Sequence, residues 1–191
     1  DCLRFARYLA DGVFRSPQNH ARSLCFLALA SYDIDVGEAE KIVYEARTLY
    51  QQDQNQDTVR NAKVMESIAV TLHKTPLVDT ENILREQRTL LQNHTSRQKG
   101  VHYAIALTCA KTGYLDEMYE HLNAVSHSHS FCMDLVNALA PHNNVAATHL
   151  LNQMIEQHQD GASPGDYNLV AQAAMVVGDV ALAIKFYPHY N

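Results

Sequence analysis

The densest group of chemically capable side chains is the segment HSHSFC, which runs from His127 to Cys132 and follows His121. Imidazole and thiolate groups are good zinc ligands, but a structural zinc site normally has four ligands in two closely spaced pairs. The sequence contains no second pair at such a spacing. We therefore interpret the segment as a polar loop that joins two hairpins, and we predict no metal site.

A second group of candidate side chains consists of the carboxylates Asp116, Glu117 and Glu120. Their spacing indicates one exposed helical surface, and the sequence identifies no partner group for acid–base catalysis. The motifs GxSxG and HExxH and a glycine-rich phosphate loop are absent from a chain with only seven glycines. We expect a protein that is not an enzyme and uses no cofactor or small-molecule substrate. The three carboxylates are candidates for contact with another protein.

The composition is that of a globular chain, with 47% apolar and 19% charged residues among 191. The longest apolar run, Leu24 to Ala30, is far shorter than the roughly 20 residues that span a membrane. We therefore expect no membrane partner. Four cysteines are widely spaced without a CxxC pair, which favours small core residues in a reducing compartment: Cys2, Cys25, Cys109 and Cys132.

Helical spacing of apolar residues recurs along the whole chain, as at Ala39, Ile42, Val43 and Ala46. All five prolines fall between the periodic segments, where a missing N–H costs little. This pattern predicts an all-α protein. We expect one helical-repeat domain over residues 1–191, a segment of a longer array, with five hairpins at approximately 18–50, 57–92, 100–125, 128–158 and 166–187.

The second helices of these hairpins open with related sequences, such as DIDVGEAEKIV and VGDVALAIKF. Taken as equivalent positions, the anchors recur at intervals that suit stacked helical hairpins: Val36, Val78, Leu115, Val145 and Val180. The pattern favours a right-handed α-α superhelix, or solenoid. A compact helical bundle is the alternative, because it would also contain amphipathic helices joined by short turns.

From Gly100 to Asn191 the chain resembles the pentatricopeptide repeat family and its tetratricopeptide relatives. The resemblance lies in VHYAIALTCAKTGYLDEMYEHL, with Tyr103 early and Gly113 at the turn, and in SPGDYNLVAQAAMVVGDVALAIKFY, with Tyr167 and Gly178. It implies a mitochondrial setting, with a cytoplasmic one as the alternative, and an organellar ribonucleoprotein. It also implies that the residue after the early Tyr helps to choose a base. That residue is Ala104 in one repeat and Asn168 in the last.

Charge bears on the choice of partner, because RNA affinity depends on Lys and Arg that neutralise phosphates. Residues 1–100 hold thirteen basic and thirteen acidic side chains, whereas residues 101–191 hold only Lys111 and Lys185 against eight acids. The half that most resembles an RNA reader therefore carries the whole net charge of −6. This imbalance favours contact with other protein subunits of a large assembly.

The remaining candidates divide between RNA and protein. For RNA we single out an edge formed by Arg85, Arg88, Arg97 and Lys99, together with Asn168. The alternative for that edge is a solvated helix face whose arginines pair with Glu81 and Glu86. For protein contact we add the aromatic end of the chain, which contains Phe186, Tyr187 and Tyr190.

These features predict a non-catalytic helical-repeat scaffold or adaptor, a protein-contacting subunit of a mitochondrial ribonucleoprotein such as the ribosome or RNA-processing machinery. Single-stranded RNA binding is the first alternative. The second is a tetratricopeptide-like adaptor that grips a peptide, which should group Lys, Arg and Asn on its first helices. Arg22, Arg60, Asn61 and Lys63 are the residues that hint at it.

Overall fold

A computed structural model describes residue 7 and residues 16–51, 57–93, 98–125, 128–156 and 164–187. Over these ranges the chain is helical and contains no strand, which confirms the predicted all-α class. Ten helices follow one another: α1 Pro17–Tyr32, α2 Val36–Gln51, α3 Thr58–Leu72, α4 Thr80–Asn93, α5 Gln98–Thr112, α6 Leu115–Asn123, α7 His129–Leu139, α8 Asn144–Glu156, α9 Pro164–Val177 and α10 Val180–Phe186.

Four of the helices that open the second half of a predicted hairpin begin at the same kind of cap. An Asp or Asn side chain accepts a hydrogen bond from the backbone N–H three residues later. This N–H belongs to the first turn of the helix and has no partner among the carbonyls of the helix. The capping residues are Asp35, Asp79, Asn143 and Asp179, with N–H···O distances of 3.1, 3.2, 3.0 and 2.9 Å.

The caps correct one of the sequence anchors. Val36, Leu115 and Val180 are the first residues of α2, α6 and α10, but Val78 lies in the turn before the cap Asp79. The connection from α3 to α4 is several residues longer than the one from α1 to α2. The anchor Val78 is therefore not equivalent in position to Val36, Leu115 and Val180.

Glycine ends two of the first helices. Gly113 and Gly178 follow α5 and α9 with φ of 91° and 87°, a left-handed conformation that side chains with a Cβ rarely adopt. Behind Gly178, the Asp179 N–H donates to the Ala174 carbonyl at 2.8 Å, which satisfies a carbonyl at the end of α9. Each glycine lets the chain reverse within two residues.

The contacts of the chain group into two compact units, Asp1–Gly113 and Tyr114–Asn191. In the first unit α1 packs against α2, and α3 packs against α4. The first helices also pack in series, α1 on α3 and α3 on α5, while α2 contacts α3 and α4 contacts α5. Each first helix thus covers both helices of the pair before it.

The second unit repeats this order of contacts. Helix α7 packs against α8, and α9 packs against α10. Helix α9 also contacts both α7 and α8, as α3 contacts both α1 and α2. The predicted pair at 100–125 corresponds to α5 and α6, which belong to different units.

Small and aliphatic side chains form the interior of each unit. In the first unit the helices meet through alanines such as Ala28 and Ala69 and fully buried residues such as Leu24 and Ile68. In the second unit the buried set includes Leu135, Leu139, Leu150, Leu151 and Val170. Small residues let helix axes approach closely, which explains why first helices can pack in series.

Candidate binding surfaces

Two of the arginines on the second helices of the first unit, Arg47 and Arg88, are paired with carboxylates. Arg88 Nη1 lies 3.0 Å from Glu81 Oε1, and Arg47 Nη2 lies 3.3 Å from Glu86 Oε1. The second pair joins α2 to α4, and Asn82 also donates to Glu86 at 3.1 Å. These pairs lower the positive potential that this side of the unit presents to a phosphate.

The predicted RNA edge is therefore only partly available. Arg85 is exposed on α4, while Arg88 is engaged by Glu81, which is the arrangement of the alternative interpretation. Lys99 is exposed on α5, with Nζ 5.6 Å from the centroid of the Tyr103 ring. Arg97 lies outside the described residues.

Three further cations of the first unit lie on α1, in the turn after α3 and at the end of α5. The pKa of Lys111 is lowered from its ordinary value by partial burial of the ammonium group and then by the charges of Arg22 and Lys74. Within the described ranges none of these three side chains makes an ion pair. We call Arg22, Lys74 and Lys111 the cationic cluster.

An exposed aromatic ring borders the cationic cluster. The Phe26 side chain is 53% exposed, and the guanidinium carbon of Arg22 lies 5.9 Å from its ring centroid. A cation beside an aromatic face can hold an anionic group and an adjacent apolar or planar one together. The cationic cluster is therefore suited to a phosphate, a carboxylate or a chain that carries either.

A groove of about 550 Å³ lies on the first hairpin between α1 and α2 and is bordered by Arg7. The charges that line it are arranged in opposite pairs, Arg7 with Glu45 and Lys41 with Glu38. Since each charge has a counterion within the groove, this surface offers no net charge for recognition.

The acidic residues singled out on α6 differ in exposure. Asp116 and Glu120 are exposed, whereas Glu117 is half-buried, with Oε1 3.6 Å from Nε2 of the buried His121. On the same unit Tyr119 Oη lies 3.3 Å from His149 Nδ1, which connects α6 to α8. Asp116 and Glu120 are thus the acids that face solvent.

The last hairpin carries an apolar groove of about 420 Å³ between α9 and α10, which we call the end groove. Its lining contains no charged side chain and consists of Asn168, Ala171, Gln172, Met175, Ala183, Ile184 and Tyr187. Met175 is 58% exposed, Ile184 65% and Tyr187 64%. So much exposed apolar surface in one place is typical of a contact site.

The predicted aromatic surface divides at the end groove. Tyr187 lines the groove, but Phe186 is buried against α9, with its ring centroid 6.1 Å from that of Tyr167. Phe186 therefore belongs to the core of the hairpin, and Tyr190 lies outside the described residues.

The two residues that correspond to base-selecting positions have different environments. Ala104 is buried in α5, so it cannot contact a ligand. Asn168 is half-buried and lines the end groove, where its amide is next to apolar side chains. Asn168 and Tyr187 thus line the same groove. From the sequence, Asn168 was a candidate for RNA contact and Tyr187 a candidate for protein contact.

Three of the four cysteines are core residues, as their apolar neighbours predicted, and Cys2 lies outside the described residues. Cys25, Cys109 and Cys132 are buried, and burial raises the pKa of Cys25 to about 12 and that of Cys132 to about 11. A thiol with such a pKa is scarcely ionised at neutral pH and is a poor nucleophile. Among the described residues no three His, Cys, Asp or Glu side chains are grouped as a metal site would require.

No helix in the described part of the chain is long and apolar enough to cross a lipid bilayer. The chain matches no protein-family model, no curated protein and no solved structure.

Sequence reasoning missed both the cationic cluster and most of the end groove. The spacing of Arg22 and Phe26, one helical turn apart, was a readable signal for the first. For the end groove, the signal was Ile184, which lies outside the buried stripe of Ala183 and Phe186. Helix α10 therefore has more apolar surface than its own hairpin can bury. Neither signal alone identifies which residues meet in space.

Proposed function

We propose that the protein is a non-catalytic helical-hairpin scaffold that holds other protein subunits of a mitochondrial ribonucleoprotein, such as the ribosome or RNA-processing machinery. The observation that carries this proposal is the order of contacts within each unit, in which α3, α5 and α9 each pack on both helices of the pair before them. Such stacking supports the solenoid of five hairpins, an architecture whose extended surface suits binding to large partners. The compartment follows from the resemblance to pentatricopeptide proteins alone.

Two further observations support contact with protein. The end groove is uncharged and apolar, which favours a protein surface over a nucleic acid. Arg47 and Arg88 are paired with carboxylates, so they offer little to phosphate groups. The burial of the Cys25, Cys109 and Cys132 thiols also argues against catalysis by these three residues.

The proposal is tested by sedimentation of the protein from lysates of the cells that express it. We expect the protein to be recovered in a mitochondrial fraction and to resist added protease there. After lysis of that fraction we expect it to sediment with a large particle through a sucrose gradient. It should remain bound to proteins after RNase treatment. Migration as a free protein in gently prepared lysate would refute the scaffold role. Recovery from the cytosol alone would refute the compartment and leave the scaffold role intact.

The cationic cluster favours a second candidate, direct binding of single-stranded RNA. Its three unpaired cations would release about three counterions, giving a slope of roughly −2 for log K against log salt. Fluorescence anisotropy with a mixed RNA pool measures this slope. The double variant Lys74→Gln/Lys111→Gln should lose most of the binding, while Lys41→Gln/Lys185→Gln, which changes the net charge equally, should not. Absence of binding at low salt removes this candidate.

A further inference from the structure

The positive charge of the first unit is concentrated on its first helices. The second helices α2 and α4 contain four basic residues and five glutamates. Because the first helices pack in series, their charges lie in one layer and produce a positive potential there. Helices α1, α3 and α5 together contain one acidic residue, Glu66, and five basic ones: Arg22, Arg60, Lys63, Lys99 and Lys111.

Two members of the cationic cluster lie where first helices end. Lys74 follows the end of α3, and Lys111 is the last residue but one of α5, which packs on α3. Helix α4 is joined to both by short connections and packs on both, so α3 and α5 run in the same direction and end on the same side of the unit. Arg22 extends the cluster onto α1, and its charge acts on Lys111 together with that of Lys74.

The charges of the cationic cluster are unfavourable to the folded chain. Arg22 and Lys74 are exposed, but Lys111 is half-buried, so its ammonium group has lost part of its hydration. None of the three pairs with a carboxylate of the described residues. Partial burial and like charges both disfavour the charged form, and a bound anion relieves both effects. Unfavourable charge of this kind is typical of ligand sites.

Exposed apolar side chains lie beside the cations on α1. Phe26 is one helical turn from Arg22, whose guanidinium carbon is 5.9 Å from the ring centroid. Phe26 is 53% exposed, and Leu29, three residues later on the same helix, is 40% exposed. A planar ring can stack on an exposed phenylalanine while a phosphate attached to it reaches the neighbouring cations. The surface therefore suits a ligand that has an anionic end and a planar end.

The distribution of the charges favours a small phosphorylated ligand over a strand of RNA. A phosphodiester chain carries a single negative charge per nucleotide, spread along its length. A terminal phosphate carries about −1.5 to −2 charges at pH 7, and a polyphosphate places more charge directly beside it. Two cations that both act on one half-buried ammonium group match the second distribution.

We propose that the cationic cluster and Phe26 form a surface site for a nucleoside polyphosphate. Its phosphates lie between Arg22, Lys74 and Lys111, and its base stacks on the ring of Phe26. Because the ligand touches α1, α5 and the turn after α3, it links three parts of the first unit and stabilises them. The absence of a glycine-rich phosphate loop led to the expectation that no small molecule is bound. Here side chains, rather than the backbone N–H groups of such a loop, supply the positive charge.

Isothermal titration calorimetry of the purified 191-residue chain with ATP, pyrophosphate and adenosine, at low salt and in EDTA, tests the site. The site is open to solvent, so we expect a Kd for ATP of roughly 10–100 µM, weaker binding of pyrophosphate and none of adenosine. Lys74→Gln/Lys111→Gln should weaken ATP binding by roughly tenfold or more, whereas Lys41→Gln/Lys185→Gln, with the same change in net charge, should not. Phe26→Leu should weaken ATP binding by about fivefold or more and leave pyrophosphate binding unchanged. Circular dichroism of each variant checks that the helices are retained.

Labelling with pyridoxal 5′-phosphate gives a second measurement that does not depend on variants. This probe combines a planar ring, a phosphate monoester and an aldehyde. The aldehyde condenses with a neutral lysine amine to an imine and water, and borohydride then reduces the imine to a stable secondary amine. Mass spectrometry should find Lys111, whose pKa is lowered, labelled several times faster than Lys41 and Lys185, and ATP should protect it. Pyridoxal, which lacks the phosphate, should show no such preference.

Three results would overturn the nucleotide site: no ATP binding up to about 1 mM at low salt, an affinity unchanged by Lys74→Gln/Lys111→Gln, or one unchanged by Phe26→Leu. Tighter binding of an RNA oligonucleotide with a 5′-hydroxyl end, dependent on the same lysines, would overturn it in favour of the RNA candidate. Equal labelling of all exposed lysines by the phosphate-bearing aldehyde would also contradict it. The scaffold role does not depend on this site, so failure here leaves that proposal untouched.

Discussion

Replacing Gly100 with alanine should destabilise the first unit even though alanine is the better helix former. A Cβ at Gly100 would lie 2.5 Å from Val59 Cγ1, 2.9 Å from its Cγ2 and 3.3 Å from its Cβ. Ordinary contacts of this kind are 3.4–4 Å. The side chain of valine has few alternative rotamers, so α5 must move away from the start of α3 by about 1 Å.

The two opposing contributions can be compared. Alanine in place of glycine gains at most about 1 kcal/mol of helix propensity, and less in the first turn of a helix. Overpacking of a close helix contact costs about 1–3 kcal/mol. We therefore expect a net loss of about 1–2 kcal/mol, measured as the shift in the urea midpoint of the first unit by far-UV circular dichroism.

A double-mutant cycle with Val59→Ala isolates the contact. In the Val59→Ala background the two closest contacts are removed and only the Cβ contact at 3.3 Å remains, so Gly100→Ala should become close to neutral, with a coupling energy of about 1–2 kcal/mol. Gly37→Ala is the matched control, because its new Cβ would come no closer than 3.4 Å to any atom, and it should stabilise slightly. Equal costs of Gly100→Ala in both backgrounds would show that the close approach of α3 and α5 does not limit this position.

Three further predictions follow from single residues. Gly178→Ala should cost the second unit about 1–2 kcal/mol in chemical denaturation, because its φ of 87° is strained for any residue with a Cβ; an unchanged midpoint would contradict this. Cys25 should resist iodoacetamide at pH 8 and react only after unfolding, since its folded-state pKa is about 12; rapid labelling of the native protein, followed by mass spectrometry, would be the contrary result. The pKa of Lys111 is lowered on folding, so its charge opposes folding at pH 7 and this effect disappears above the ordinary pKa of 10.5. Lys111→Gln should therefore raise the thermal midpoint at pH 7 but not at about pH 11, and a gain of equal size at both pH values would exclude the electrostatic cause.

The helices were predictable because their pattern is local. Apolar periodicity and proline positions predicted the all-α class, which the described residues confirm, and glycine indicated the turns after α5 and α9. Val78 is not equivalent to the anchors Val36 and Val180, because it precedes the capping residue Asp79 instead of following it. The hydrogen bond of the cap, rather than the hydrophobic anchor, determines where such a helix begins.

The surfaces were less predictable because they depend on residues far apart in the sequence. Arg22, Lys74 and Lys111 come from three different elements, and only the packing of α1, α3 and α5 brings their charges together. Likewise the pairing of Arg47 with Glu86 requires α2 and α4 to be neighbours. The sequence shows which residues are charged, but the ion pairs of the folded chain determine which of these charges remain available to a binding partner.

The shortness of α10 has a dynamic consequence. A helix of seven residues is not stable alone in water, and α9 is its only helical neighbour in the described structure. Its hydrogen bonds should therefore open and close more often than those of α8, well before the unit unfolds as a whole. Ala183, Ile184 and Tyr187 leave the end groove whenever α10 opens, so the fraction of time that α10 is folded sets an upper limit on how often this surface can bind anything.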